Sequence, residues 1–110
     1  MIARLMFVPP GGGKSDYVLD FDLPGIPAPG DYVQIVRPGQ TGSEDFIVRR
    51  TWWHLEYPYA RLFKESNDPT HGKVRSITVE CEFSRSGHSS EEHARAANSH
   101  AKKSGKLKEF

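Results

Sequence analysis

Between Asp16 and Leu23 nearly every second residue is a large apolar side chain. Tyr17, Leu19, Phe21 and Leu23 fall on one side, with Asp16, Asp20 and Asp22 on the other. Only an extended backbone, whose side chains alternate between two faces, gathers the four apolar residues into one surface, so the segment predicts a strand with one buried face. The same period recurs along the chain. Ala3, Leu5 and Phe7 share a side over residues 3–8; Val33 and Ile35 do so over 31–37, with Tyr32, Gln34 and Val36 opposite. Ile77, Val79, Cys81 and Phe83 line one side of residues 74–83, and residues 45–57 form the longest run, rich in aromatic and β-branched side chains. Five strands are predicted.

The segments between them carry turn chemistry. Pro9 to Ser15 contains three consecutive glycines, Pro24 to Gly30 three prolines that fix φ and remove backbone donors, and Pro38 to Ser43 two glycines. The fourth connection, Pro58 to Lys73, is long for a hairpin, and it accommodates either a helical turn around residues 59–66 or an extension of both strands. Short strands joined by hairpin-length loops predict a mainly β fold: a five-stranded antiparallel meander forming a small open barrel of SH3-like or OB-like architecture. A twisted sheet covered by a helix is the alternative.

Beyond residue 85 the pattern changes. Residues 1–85 are read as a single β domain and 86–110 as a polar, lysine-ended tail whose only large apolar side chains are Leu107 and Phe110. Ser89 followed by Glu92 resembles a capping box, and Glu91 and Arg95 are a favourable pair one turn apart, so a helix is expected from about 90 to 103. Its apolar face would be Ala94, Ala97 and Ala101. So little surface implies a helix that is exposed, frayed or disordered in the monomer.

Composition then excludes whole classes. A chain of 110 residues supports one core. Its 36% apolar content is too high for a disordered chain and too low for a membrane protein. Met1 to Val8 is too short an apolar run, with Arg4 inside it, for a signal-peptide core or a membrane span, so a cytoplasmic protein without membrane partners is expected. A single cysteine, Cys81, allows no intrachain disulfide and no cysteine-rich zinc site. The net charge of +1 divides unevenly: residues 1–85 carry −1 and residues 86–110 carry +2, so the body lacks the basic excess of a typical DNA-binding domain.

Most chemical motifs have a plainer reading. Gly11-Gly12-Gly13-Lys14-Ser15 resembles the end of a phosphate-binding loop, but Val8 stands where the first glycine is required and a strand follows instead of a helix. Asp20 and Asp22, about 7 Å apart on one strand face, suit a metal-dependent enzyme, yet almost every half-buried strand has such a solvated face. His54, His71, His88, His93 and His100 show no recognised ligand spacing, although the last two share a helix side. Cys81 sits on an inward face, where it behaves as a small hydrophobe. No cofactor is implied, and a non-enzymatic protein is expected.

The segment from Phe46 to Tyr57 is different. Phe46 and Val48 fall on the even face, whereas Trp53, Leu55 and Tyr57 fall on the odd one, so a bulge is expected near Arg50 to Trp52. Adjacent tryptophans in a strand point to opposite faces; either both are buried, one in the barrel and one under the 58–73 connection, or at least one is exposed beside Arg49 or Arg50. An exposed indole beside arginine can anchor a protein interface, where Trp, Tyr and Arg dominate the binding energy, and it can equally stack a nucleobase. The binding residues predicted are therefore Arg49, Arg50, Trp52, Trp53 and Tyr57, serving a small interaction module that holds a protein partner or a second copy, with a free strand edge adding strand pairing. The alternative is single-stranded nucleic-acid binding, the same aromatics stacking bases while Lys102, Lys103, Lys106 and Lys108 contact phosphates.

Overall fold

The computed structural model describes residues 1–58, 71–104 and 107–109. Five strands follow the predicted alternation closely: β1 (Ile2–Val8), β2 (Tyr17–Asp22), β3 (Tyr32–Ile35), β4 (Glu44–Glu56) and β5 (Lys73–Arg85). A helix, α1 (Glu91–Ser104), and a two-residue strand, β6 (Lys108–Glu109), complete the chain. The sequence had not indicated β6, which is too short to show a period. The possible helical turn around 59–66 lies outside the described residues.

The strands form a mainly β open half-barrel in the order β2-β1-β5-β4-β3, with β6 beside β5. Three neighbouring pairs are antiparallel, as expected of a meander, but β1 runs parallel to β5. Parity explains the mixed sheet. In a five-stranded meander the first and last strands point the same way, so when the sheet curls until they meet, that one pairing is parallel. The ring is open instead between β2 and β3, the two ends of the strand order, which the proline-rich link joins.

Inside the curl lie Ala3, Leu5, Phe7, Phe46, Val48, Val79, Cys81 and Phe83, all buried. Tyr17, Leu19 and Phe21 of β2 pack against them from the far side. Burying each large side chain contributes about 1.5–3 kcal/mol, and the rings add directional contacts. Phe7 and Phe46 are 4.2 Å apart between centroids, while Phe46 and Phe83 meet edge to face at 5.1 Å.

Contrary to the expectation of an exposed tail, α1 is docked on this core: Ala97 is fully buried and His93 is 4% exposed. The packing face is His93, Ala96, Ala97 and His100 rather than the alanine stripe Ala94, Ala97 and Ala101. Both imidazoles lie against Phe83, with centroids 5.2 and 4.7 Å away. Histidine is counted as polar in any hydropathy pattern, which is why the periodicity missed it. Ser90, not Ser89, caps the helix by accepting the His93 N–H at 3.1 Å.

Ser89 turns to Asp45, a fully buried carboxylate that also accepts from Ser43, Gln34 and Ser86 at 2.9, 2.9 and 3.1 Å. Burial alone would raise the Asp45 pKa, but these four hydrogen bonds outweigh it and hold the carboxyl below its ordinary value. Residues 86–90 are thereby tied to the start of β4. Gly42 permits the close approach: it has φ +88°, and a Cβ there would stand 2.7 Å from the Ser90 Cα.

Candidate functional site

The β4–β5 pair is built around a bulge. Val48 pairs with Cys81 and Arg50 with Glu80, leaving Arg49 as the extra residue. That is slightly before the predicted position, and it has the predicted effect: Phe46 and Val48 face the core before the bulge, and Thr51 and Trp53 share that face after it, opposite Val79 and Ile77. A second register shift, between His54 and Leu55, brings Leu55 opposite Val74.

On the outer face the bulge sends two consecutive arginines toward one carboxylate. Arg49 Nε and Arg50 Nε lie 2.9 and 3.1 Å from Glu80 Oε2. Neighbouring Glu82, almost fully buried, accepts the Gly11 N–H at 2.8 Å and meets Lys108 Nζ at 2.5 Å, with Arg49 Nη1 at 3.8 Å. Burial opposes ionisation of Glu82, but Lys108, the Gly11 amide and Arg49 together hold its pKa below the ordinary value. The glycine loop thus uses an amide on the chain's own carboxylate. Gly12 sits so close to Arg49 that a Cβ would come within 2.9 Å of the guanidinium.

Beyond this network the two strands leave the sheet. Pairing of β1 with β5 ends at Thr78 and that of β3 with β4 at Ile47, so β4 and β5 continue as a two-stranded arm. The elongation shows in the dimensions: the radius of gyration is 17.8 Å, against about 13 Å for a compact chain of this length.

Both tryptophans are exposed on the arm, Trp52 by 46% and Trp53 by 51%, and neither is buried in the barrel. They occupy opposite faces, one opposite Thr78 and the other opposite Ile77. Trp52 has the Arg50 guanidinium 5.7 Å from its ring centre. Trp53 shares the inner face with Leu55, 71% exposed, and Val74, 49% exposed, and Tyr57 is exposed at the end of the arm.

The remaining predicted residues are dispersed. Lys102 and Lys103 end α1, Lys108 faces Glu82, and Lys106 lies outside the described residues. Asp20 and Asp22 are opposed by cations, Arg4 at 3.1 Å and the Met1 amino group at 2.7 Å. Among the described residues no group of three His, Cys, Asp or Glu is arranged to hold a metal ion. Burial, with Glu80 nearby, pushes the Cys81 thiol up to about 12.

Sequence reasoning missed Val74, which falls outside the β5 alternation because of the second register shift, and the Tyr17, Arg37 and Glu44 cluster, whose members lie in three separate segments. No helix among the described residues is long and apolar enough to cross a membrane. No protein-family model, curated protein or solved structure matches the chain.

Proposed function

We propose that this protein is a non-enzymatic interaction module whose binding element is the β4–β5 arm, and that its occupant is a second copy of the chain. The observation carrying the reading is the exposed apolar inner face of Trp53, Leu55 and Val74 on a ribbon extending beyond its sheet neighbours. A two-stranded ribbon with water on both faces is marginal, and covering one face stabilises it. A soluble, reducing compartment such as the cytoplasm suits a chain with one buried thiol.

Two features favour a second copy over an unrelated protein. The arm's outer edges have no strand beside them among the described residues, and identical strands meeting antiparallel generate the two-fold symmetry of most homodimers. Glu56 and Lys73 stand opposite each other on the arm, 3.6 Å apart, and this neutral pair presents no net charge that would repel an identical copy. The nucleic-acid alternative is weakened because Arg49 and Arg50 already face Glu80. Sedimentation velocity over a range of concentrations tests the proposal. A monomer–dimer equilibrium is expected, and the Trp53→Ala/Leu55→Ala variant should weaken it by roughly thirtyfold or more, as follows from losing about 2 kcal/mol or more of central apolar contacts. A chain that remains monomeric, or a variant that dimerises as well as the parent, overturns it.

A further inference from the structure

The bulge that turns Trp53 onto the inner face also decides which edge of the arm can take another strand. Successive peptide groups along an antiparallel strand point to opposite edges. Val48 faces the β3 side: its N–H donates to the Asp31 carbonyl at 2.9 Å, and its own carbonyl accepts from the Gly30 N–H at 2.8 Å. The inserted Arg49 advances the alternation by one residue. Arg50, Trp52 and His54 therefore turn toward Glu80, Thr78 and Ser76 of β5, while Thr51, Trp53 and Leu55 present their N–H and C=O groups to the edge beyond the end of β3. Among the described residues no strand lies along that edge and no turn or loop bonds to it.

The other edge of the arm is blunted. Pairing with β1 stops at Thr78, and only Ile77 presents its peptide group outward before Arg75, the extra residue of the second register shift, breaks the run. Bulges of this kind protect edge strands from further pairing. By contrast, β4 is regular over residues 50–56 and carries no proline there. That stretch pairs with its own copy over its full length in one antiparallel register, which puts Trp53 on the two-fold axis. On the inner face the two Trp53 side chains then meet, with Leu55 opposite Thr51 on either side. On the outer face Trp52 stands opposite His54, and half-exposed Arg50 opposite half-exposed Glu56, so opposite charges meet at both ends. Aromatic and opposite-charge pairs across strands are among those that stabilise sheets. Every outward peptide group also finds a partner, Thr51 with Leu55 and Trp53 with its own copy.

We propose that two copies join through the β4 edge, residues 50–56 of one running antiparallel to the same residues of the other, so that the two arms merge into one four-stranded sheet. The inference rests on the arm being the self-association element, and it adds the edge and the register. Amide hydrogen exchange of the full chain at low and high concentration reads the edge. The Thr51, Trp53 and Leu55 amides should slow roughly tenfold once about nine-tenths of the chains are paired, while Ile77 stays unchanged. Isotope-filtered NOE spectra of mixed labelled and unlabelled chains read the register. A cross-peak is expected between Trp52 Hα and His54 Hα of the second copy, which face each other at the closer, non-hydrogen-bonded positions. Glu56→Arg sets an arginine opposite Arg50 of the second copy and should weaken the dimer roughly tenfold at low salt. Sedimentation of the same samples separates the two levels of the account. A chain that stays monomeric overturns arm self-association and this proposal with it. A dimer that protects Ile77 instead, lacks the cross-peak between Trp52 and His54, or is indifferent to Glu56→Arg overturns the edge or the register alone.

Discussion

The His93 imidazole lies flat on the Phe83 ring, the two planes 7° apart. The same imidazole has its Nε2 between two backbone groups, 3.1 Å from the Asp45 N–H and 2.8 Å from the Ser84 carbonyl oxygen. That nitrogen accepts from the first or donates to the second, according to its tautomer. Replacing His93 with alanine removes a stacked contact and leaves a buried backbone group without its partner. The expected loss is about 2–4 kcal/mol in urea unfolding, with α1 helicity lost first. Glu91→Ala, which alters an exposed first-turn side chain, should cost less than about 1 kcal/mol.

Arg49 and Arg50 provide an internal comparison, because both reach Glu80 from adjacent positions. The Arg49 side chain is only 23% exposed and also faces buried Glu82, whereas Arg50 is half exposed. Arg49→Ala leaves buried carboxylate charge poorly compensated and is expected to cost about 2–3 kcal/mol. Arg50→Ala should cost at most about 1 kcal/mol, because water screens that pair. Equal losses in parallel denaturant melts would contradict the burial argument.

Acid should loosen the attachment of α1 through Asp45. Its folded-state pKa lies below the unfolded value, so its contribution to stability is present above the unfolded value of about 3.9 and is lost as pH falls through the folded one. Glu82 acts in the same direction. Melting temperature should therefore fall as pH drops below about 4, and Asp45→Asn should be less stable at neutral pH but show a shallower acid decline.

Gly42→Ala should be costly, although it adds one methyl group. Its positive φ disfavours any side chain, and the new Cβ would meet backbone atoms of Ser90 and the His88 carbonyl oxygen, none of which can swing aside. A loss of roughly 2–4 kcal/mol is expected from thermal or denaturant melts. Gly13→Ala provides the control, since it has a positive φ but nothing within 4 Å.

The strands were legible because alternation and burial coincide. Tyr17, Leu19 and Phe21 alternate in sequence and pack against the core in space. The change of face after Val48 was legible too, since only an extra residue puts Trp53 on the side of Phe46. What the sequence concealed were polar side chains doing the work of apolar ones. His93 and His100 pack on Phe83, Asp45 is buried among serines, and Lys108 completes the surroundings of Glu82. Each depends on partners distant in the chain, and local periodicity carries no record of them. The exposure of both tryptophans was hidden for another reason: β4 and β5 are longer than their neighbours, and strand length relative to neighbours belongs to the sheet, not to any one segment.

Arm-to-arm contact between two copies is tested most directly by intermolecular paramagnetic broadening. Cys81 is buried, so a nitroxide introduced through Ser76→Cys labels the exposed outer face of the arm alone. Mixed with unlabelled-spin, nitrogen-15 chains, it should broaden the partner's Trp53 and Leu55 amide signals in a concentration-dependent way, and the broadening should vanish with Trp53→Ala/Leu55→Ala. Arm signals that stay sharp at every concentration, or broadening centred on α1 instead, would contradict the account.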